Sequence, residues 1–148
     1  MKKLILILVA VASLAACKNE DKKSPGDLSE AQRRDAMKDS SSFTSIQWLD
    51  STNRDMGTVK EGTKVEVSFR FKNTGSHNLI FSNVSASCGC TTPDWPKRPI
   101  PPGQEDVIKA VFDSEHRVGT NNKEVYITAN TLPQTNMSVG FKVEVTNK

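Results

Sequence analysis

At 148 residues the chain has room for one domain and one core. Its 36% hydrophobic and 25% charged composition is that of a folded protein rather than a polar, disordered one. Lys and Arg number 20 against 17 Asp and Glu, a net +3; without the first 16 residues, which carry Lys2 and Lys3, the balance is 18 against 17, or +1. A chain so close to neutral lacks the basic face that nucleic-acid binding requires.

The first 17 residues read as a processing segment. Lys2 and Lys3 form a positive start, and Leu4 to Val11 is an apolar run too short for the roughly 20 residues that span a bilayer. Leu14-Ala15-Ala16-Cys17 resembles the lipobox of bacterial lipoproteins. That resemblance implies a signal peptide over residues 1–16 and lipid on the Cys17 thiol. It places the protein at the bacterial cell envelope, anchored to the outer membrane on its periplasmic or surface face, with the membrane as one partner. Outside the cytoplasm, Cys88 and Cys90 are free to be oxidised.

Residues 17–42 are expected to be a tether. The stretch is rich in Lys, Glu, Asp and Ser, carries Pro25-Gly26, and has almost no large apolar residue to bury. A short helix from Leu28 to Met37 is compatible with it, capped by Asp27 with Glu30 three residues on. The charges following Cys17 resemble the export signals of surface lipoproteins in Bacteroidetes-type bacteria; a solvated linker reads the same way.

A β-rich domain is predicted over residues 43–148. Ile46 and Trp48 alternate, and Met56-Gly57-Thr58-Val59 is a second short run. Val65, Val67, Phe69 and Phe71 then alternate with Glu66, Ser68, Arg70 and Lys72, the pattern of a strand with one buried face. Leu79 to Ala86 reads as the next strand, with Leu79, Phe81 and Asn83 on one face and Ile80, Ser82 and Val84 on the other. Ser87-Cys88-Gly89-Cys90-Thr91 follows. The five prolines between Pro93 and Pro102 rule out a central strand there and predict an irregular segment around Trp95. Pro102-Gly103 suits the centre of a type II turn. Asp106–Asp113 is apolar on both faces and so central. A turn is expected at Val118-Gly119 and Asn121-Asn122, before a strand over Lys123–Ala129. The chain closes on a strand marked by Val139, Phe141, Val143 and Val145. Seven or eight strands with turns at this spacing predict an all-β, immunoglobulin-like antiparallel β-sandwich, without the inter-sheet disulfide of antibody domains.

Several blocks carry a family resemblance. They are Met56 to Gly62, Phe69 to Gly75, Ser87 to Thr91, Pro102-Gly103-Gln104, Phe112-Asp113 and Gly119. In order and spacing they resemble the domain-of-unknown-function 1573 family across about residues 45–146, the Cys-Gly-Cys-Thr block being the most specific. That family is similar in turn to immunoglobulin-like domains of some cilium-associated and sperm-protein modules. The resemblance implies the same sandwich and a secreted or lipid-anchored bacterial location, and it brings no activity with it.

Four roles remain open for Cys88 and Cys90. They suit simple packing at a strand end, with Gly89 allowing a tight bend. They suit a mutual disulfide, which needs a bent chain and is then readily reduced, as a redox role requires. They suit a soft metal such as Cu(I) or Zn(II), although zinc calls for four ligands, or a disulfide to another chain. His77 and His116 read as surface residues in loops, and Trp95 as a partner contact or a cap on the core. No Ser/His/acid order or phosphate loop is present, and Asp94, Glu105, Asp106, Asp113 and Glu115 read as loop charges. The sequence thus predicts a lipid-anchored envelope module that binds or supports a protein partner, with no enzyme activity and no cofactor. Its alternative is a thiol-disulfide or copper-handling protein.

Overall fold

The computed structural model describes residues 26–148. The leader, Cys17 and the first part of the tether lie outside the described residues. The architecture follows from strands whose apolar residues recur every second position. β3 (Lys64–Asn73) buries Val65, Val67, Phe69 and Phe71. β8 (Asn136–Thr146) buries Val139, Phe141, Val143 and Val145, and β7 (Gly119–Ala129) buries Val125, Ile127 and Ala129. Each large side chain so buried contributes about 1.5–3 kcal/mol, and a strand can only collect that gain by facing another apolar sheet.

Two four-stranded sheets result. The first has the order β1 (Ile46–Trp48), β3, β6 (Glu105–Asp113) and β5 (Thr91–Asp94). The second runs β2 (Asn53–Lys60), β8, β7 and β4 (Phe81–Ala86). Between them lies one core, in which Phe71 of the first sheet meets Phe81 of the second edge to face at 5.1 Å, and Phe112 meets Phe141 at 6.1 Å. Such ring pairs add about 0.5–1.5 kcal/mol beyond their buried area. The predicted immunoglobulin-like sandwich is therefore the fold, with eight strands among the described residues. It is not wholly antiparallel. The chain enters the first sheet as β1, crosses to the second as β2, and there runs parallel to β8, from Asn53 opposite Gly140 to Lys60 opposite Thr146.

Four local expectations change. In β4 the register shifts between Phe81 and Asn83, so Phe81 and Val84 are both buried while Asn83 is exposed. The predicted alternation had no place for that extra residue. The proline-rich stretch begins with a true strand, β5, which tolerates Pro93 because it lies at a sheet edge. Asn121 and Asn122 lie inside β7, paired to Val143 and Lys142, and the turn falls earlier, where His116 takes a positive φ of 58°. Near the N-terminus the helix α1 (Glu30–Asp35) is capped by Ser29 and Gln32, which satisfy each other's backbone amides, rather than by Asp27 and Glu30.

The Pro102-Gly103 expectation holds. Gly103 has φ 78°, and the Gln104 amide donates to the Pro101 carbonyl at 3.1 Å.

Polar residues fix the end of the sandwich where β1 meets β3. Asn73 is fully buried: its amide nitrogen donates to the His77 and Ile100 carbonyls, both at 2.8 Å. Its oxygen accepts from the Thr44 hydroxyl at 2.8 Å and the Gly75 amide at 3.1 Å. Asn130, 1% exposed, does the same for its neighbours, accepting from the Ile80 amide at 2.7 Å and donating to the Ser42 and Asn78 carbonyls. Gly75 is required by contact: a Cβ there would lie 2.1 Å from the Thr44 hydroxyl oxygen and 2.6 Å from the Ser45 amide nitrogen.

Candidate functional site

The chain passes between the sheets at both of their edges, and the β4 to β5 passage carries the cysteines. Its four residues, 87–90, are held from both sides. The Ser87 amide donates to Glu124 of β7 at 2.9 Å, and the Asp113 amide of β6 donates to the Cys90 carbonyl at 2.9 Å. The Thr91 amide closes a turn on the Cys88 carbonyl at 3.2 Å. Cys88 and Cys90 are joined in a disulfide, with Cα atoms 5.3 Å apart. This selects the mutual disulfide among the roles left open. While it is intact, neither sulfur is a thiolate able to hold a metal.

The surroundings of the two sulfurs differ. Cys90 is 8% exposed and belongs to the core, whereas Cys88 is half-buried and packs on its margin. The Thr91 hydroxyl stands against both, 3.8 Å from the Cys88 Sγ and 3.9 Å from the Cys90 Sγ. Phe112, paired with Thr91 across the sheet, carries the Lys123 ammonium 5.2 Å from its ring centre. Burial and the nearby Arg117 push the Lys123 pKa down.

Trp95 follows β5 along the same edge. Its ring is half-buried, packs on the core and is covered by the Lys97 side chain. Burial lowers Lys97 to about 8. Helix α1 comes down over this region: the Leu28 amide donates to the Lys97 carbonyl at 3.0 Å, and Arg33 Nη1 returns to the Leu28 carbonyl. Glu30, Arg33 and Arg34 of the helix, Ser82 and Asn83 of β4, and Trp95 line a cleft of about 410 Å³. Among the described residues, the two buried side-chain polar atoms without a hydrogen-bond partner are Arg33 Nε and Trp95 Nε1, and both residues line this cleft. An unpaired buried donor costs about 1–3 kcal/mol, so this contact is less well satisfied than the Asn73 and Asn130 network.

The remaining charges behave as surface groups. Asp106 pairs with Arg98 at 2.6 Å, and Glu105 lies 3.9 Å from Lys72. His77 is exposed, and His116 is 85% exposed in its side chain. Sequence reasoning missed that His116 and its neighbour Glu115 stand beside Glu61, 55 positions from His116, with ligand atoms all within 4.8 Å of one another. Glu115 is also held by Lys148 at 2.8 Å. Only the tertiary fold brings Glu61 to this adjacent pair, so no local spacing marks the group.

Among solved structures, the chain is similar to a protein of unknown function from Porphyromonas gingivalis W83, 19% identical with a TM-score of 0.57 over 68% of this chain and 46% of that one. It is similar to the VesB protease of Vibrio cholerae, 14% identical with a TM-score of 0.54 over 75% of this chain and 34% of that one. It is also similar to the ASH/PapD-like domain 7 of human CEP192, 9% identical with a TM-score of 0.53 over 94% of this chain and 98% of that domain. At such identities these likenesses establish the PapD-like, immunoglobulin-type sandwich alone. The chain spans less than half the length of the Porphyromonas and Vibrio proteins. No curated protein sequence matches it significantly. The family model described as "Protein of unknown function (DUF1573)" matches residues 47–145, from β1 to the end of β8, and the chain belongs to that family.

Proposed function

We propose that the protein is a module of the bacterial cell envelope, held to a membrane by lipid on Cys17, whose sandwich binds a protein partner. The observation that carries the binding reading is the α1–β4–Trp95 cleft, where Arg33 Nε and Trp95 Nε1 lie buried with no acceptor. A peptide segment bringing carbonyl or carboxylate oxygens to this edge would satisfy such donors once the helix shifted, and Trp is a favoured anchor in protein interfaces. The anchorage reading rests on Leu14-Ala15-Ala16-Cys17 and the charged stretch after it. No helix among the described residues is long and apolar enough to cross a membrane.

The test is photo-cross-linking in cells from a benzophenone amino acid placed at Ser82. The expected result is a discrete adduct with an envelope protein that disappears in Trp95→Ala. An adduct of equal yield in Trp95→Ala, or no adduct, would refute the cleft as the binding surface. Anchorage is tested separately: Cys17→Ser should move the protein from the membrane to the soluble fraction, and an unchanged distribution would refute it.

A further inference from the structure

The Cys88–Cys90 bond is poorly placed to act as a staple. It joins residues two apart in sequence, so it removes little chain entropy from the unfolded state. The strands on either side are already fixed without it, through Ser87 to Glu124 and Cys90 to Asp113. Gly89 between the cysteines has open space around it, with nothing within 4 Å of where a Cβ would stand. The link can therefore relax when the sulfurs part, with β4 and β5 held where they are.

The site is also asymmetric in the way thiol-disulfide exchange requires. Exchange is an attack by an external thiolate on one sulfur, and the other sulfur must leave as a thiolate. Cys88 is the more accessible of the two, and Cys90, 8% exposed, is the one shielded in the core. A thiolate formed at Cys90 would need a donor in that dry setting. The Thr91 hydroxyl supplies one: it is buried at 4% exposure and stands 3.9 Å from the Cys90 Sγ. A sulfur in a disulfide carries no hydrogen, so the Thr91 hydroxyl, with its single proton, is the donor to whichever of the two sulfurs it faces.

We propose that Cys88–Cys90 is an exchangeable disulfide that takes two electrons from a dithiol peptide or protein, entered through Cys88, with Thr91 holding the Cys90 leaving thiolate. A partner thiolate forms a bond to the Cys88 Sγ. The Cys88–Cys90 bond breaks, and its electron pair goes to the Cys90 Sγ, which the Thr91 hydroxyl holds until it takes a proton. The partner's second thiolate then attacks its own sulfur in the mixed disulfide and releases Cys88 as a thiolate, which takes the second proton. The partner ends as a disulfide and the chain as two thiols. This activity stands apart from the Trp95 cleft and does not depend on it.

The experiment uses the full chain carrying Cys17→Ser, so that only these two thiols are read. Dithiothreitol is the dithiol probe, with acid quenching, alkylation and peptide mass as the readout and circular dichroism recorded in parallel. Both thiols should appear while the β-sheet spectrum stays unchanged. Thr91→Val should slow reduction by about tenfold and Thr91→Ser should restore it to within about twofold, since only the hydroxyl can assist the leaving sulfur. With oxidised glutathione as probe, the lone Cys88 of Cys90→Ser should form its adduct about tenfold faster than the lone Cys90 of Cys88→Ser. Reduction that occurs only together with unfolding would overturn the proposal. So would equal rates in Thr91→Val and Thr91→Ser, or adducts forming as fast on Cys90 as on Cys88.

Discussion

Of the chain's five changes of sheet, two join edge strand to edge strand through four residues, and these two passages are built differently. At the β1 to β2 passage, residues 49–52, polar groups do the holding. Asp50 accepts from the Arg70 amide at 2.9 Å and from its guanidinium at 2.8 Å. The Leu49 amide donates to the Arg70 carbonyl, and the Gly140 amide of β8 donates to the Thr52 carbonyl at 2.7 Å. Beyond it lies the satisfied network of Asn73 and Asn130. At the β4 to β5 passage, residues 87–90, the hydrogen bonds of Ser87 to β7 and of Cys90 to β6 are accompanied by a covalent bond two residues wide, and the neighbouring cleft leaves two donors unpaired. The first edge is finished by the chain's own groups. The second keeps a disulfide and two buried donors without acceptors.

The contrast can be broken most forcefully at its satisfied side. Asn73→Ala would strand the Thr44 and Gly75 donors and the His77 carbonyl together, at an expected cost of about 3 kcal/mol, read as a lowered midpoint in urea unfolding. The double substitution Cys88→Ser, Cys90→Ser should cost less, about 1–2 kcal/mol, because so short a covalent loop restricts the unfolded chain only slightly. A larger loss than that of Asn73→Ala would show the bond to be the principal clamp of its edge.

Titration sharpens the same contrast without mutation. Lys97 has its pKa lowered to about 8 by burial against Trp95, below the ordinary 10.5. Over the window from about 8 to 10.5 the unfolded or undocked chain holds more protons than the docked one, so docking of α1 should strengthen as pH rises through it. Trp fluorescence compared between the native chain and Trp48→Phe would isolate the Trp95 signal and should show the change. Asp50 responds in the opposite range. The Arg70 hydrogen bonds lower it to about 2, so its contribution is present above the usual carboxylate range and fades as pH falls toward 2. Asp50→Asn should give the smallest loss of the series, since the pair is solvent-screened.

The frame of the molecule was legible because burial writes a two-residue period into β3, β7 and β8. What escaped had no period to write. The extra residue in β4 inverts the alternation for a single step. β5 is short and depends on β6 for its definition. Asn121 and Asn122 have turn chemistry, yet β8 holds them in a strand. The site was legible in its residue types only. That Cys88 and Cys90 matter could be read from their spacing, but their unequal burial and the Thr91 hydroxyl between them are set by β6 and β7. Asn73 and Asn130 look like ordinary turn asparagines until their partners, drawn from up to 88 positions away, are seen.

The parallel pairing of β2 with β8 has a mechanical consequence. β2 lies near the start of the domain and β8 at its end, and the two run in the same direction. Tension applied between the chain termini reaches β1 and then draws β2 backward along its axis while it draws β8 forward. Their hydrogen bonds, from Asn53–Gly140 to Lys60–Thr146, are thereby loaded in shear and share the force instead of opening one after another. Pulled by its ends, the sandwich meets the load across a whole ladder.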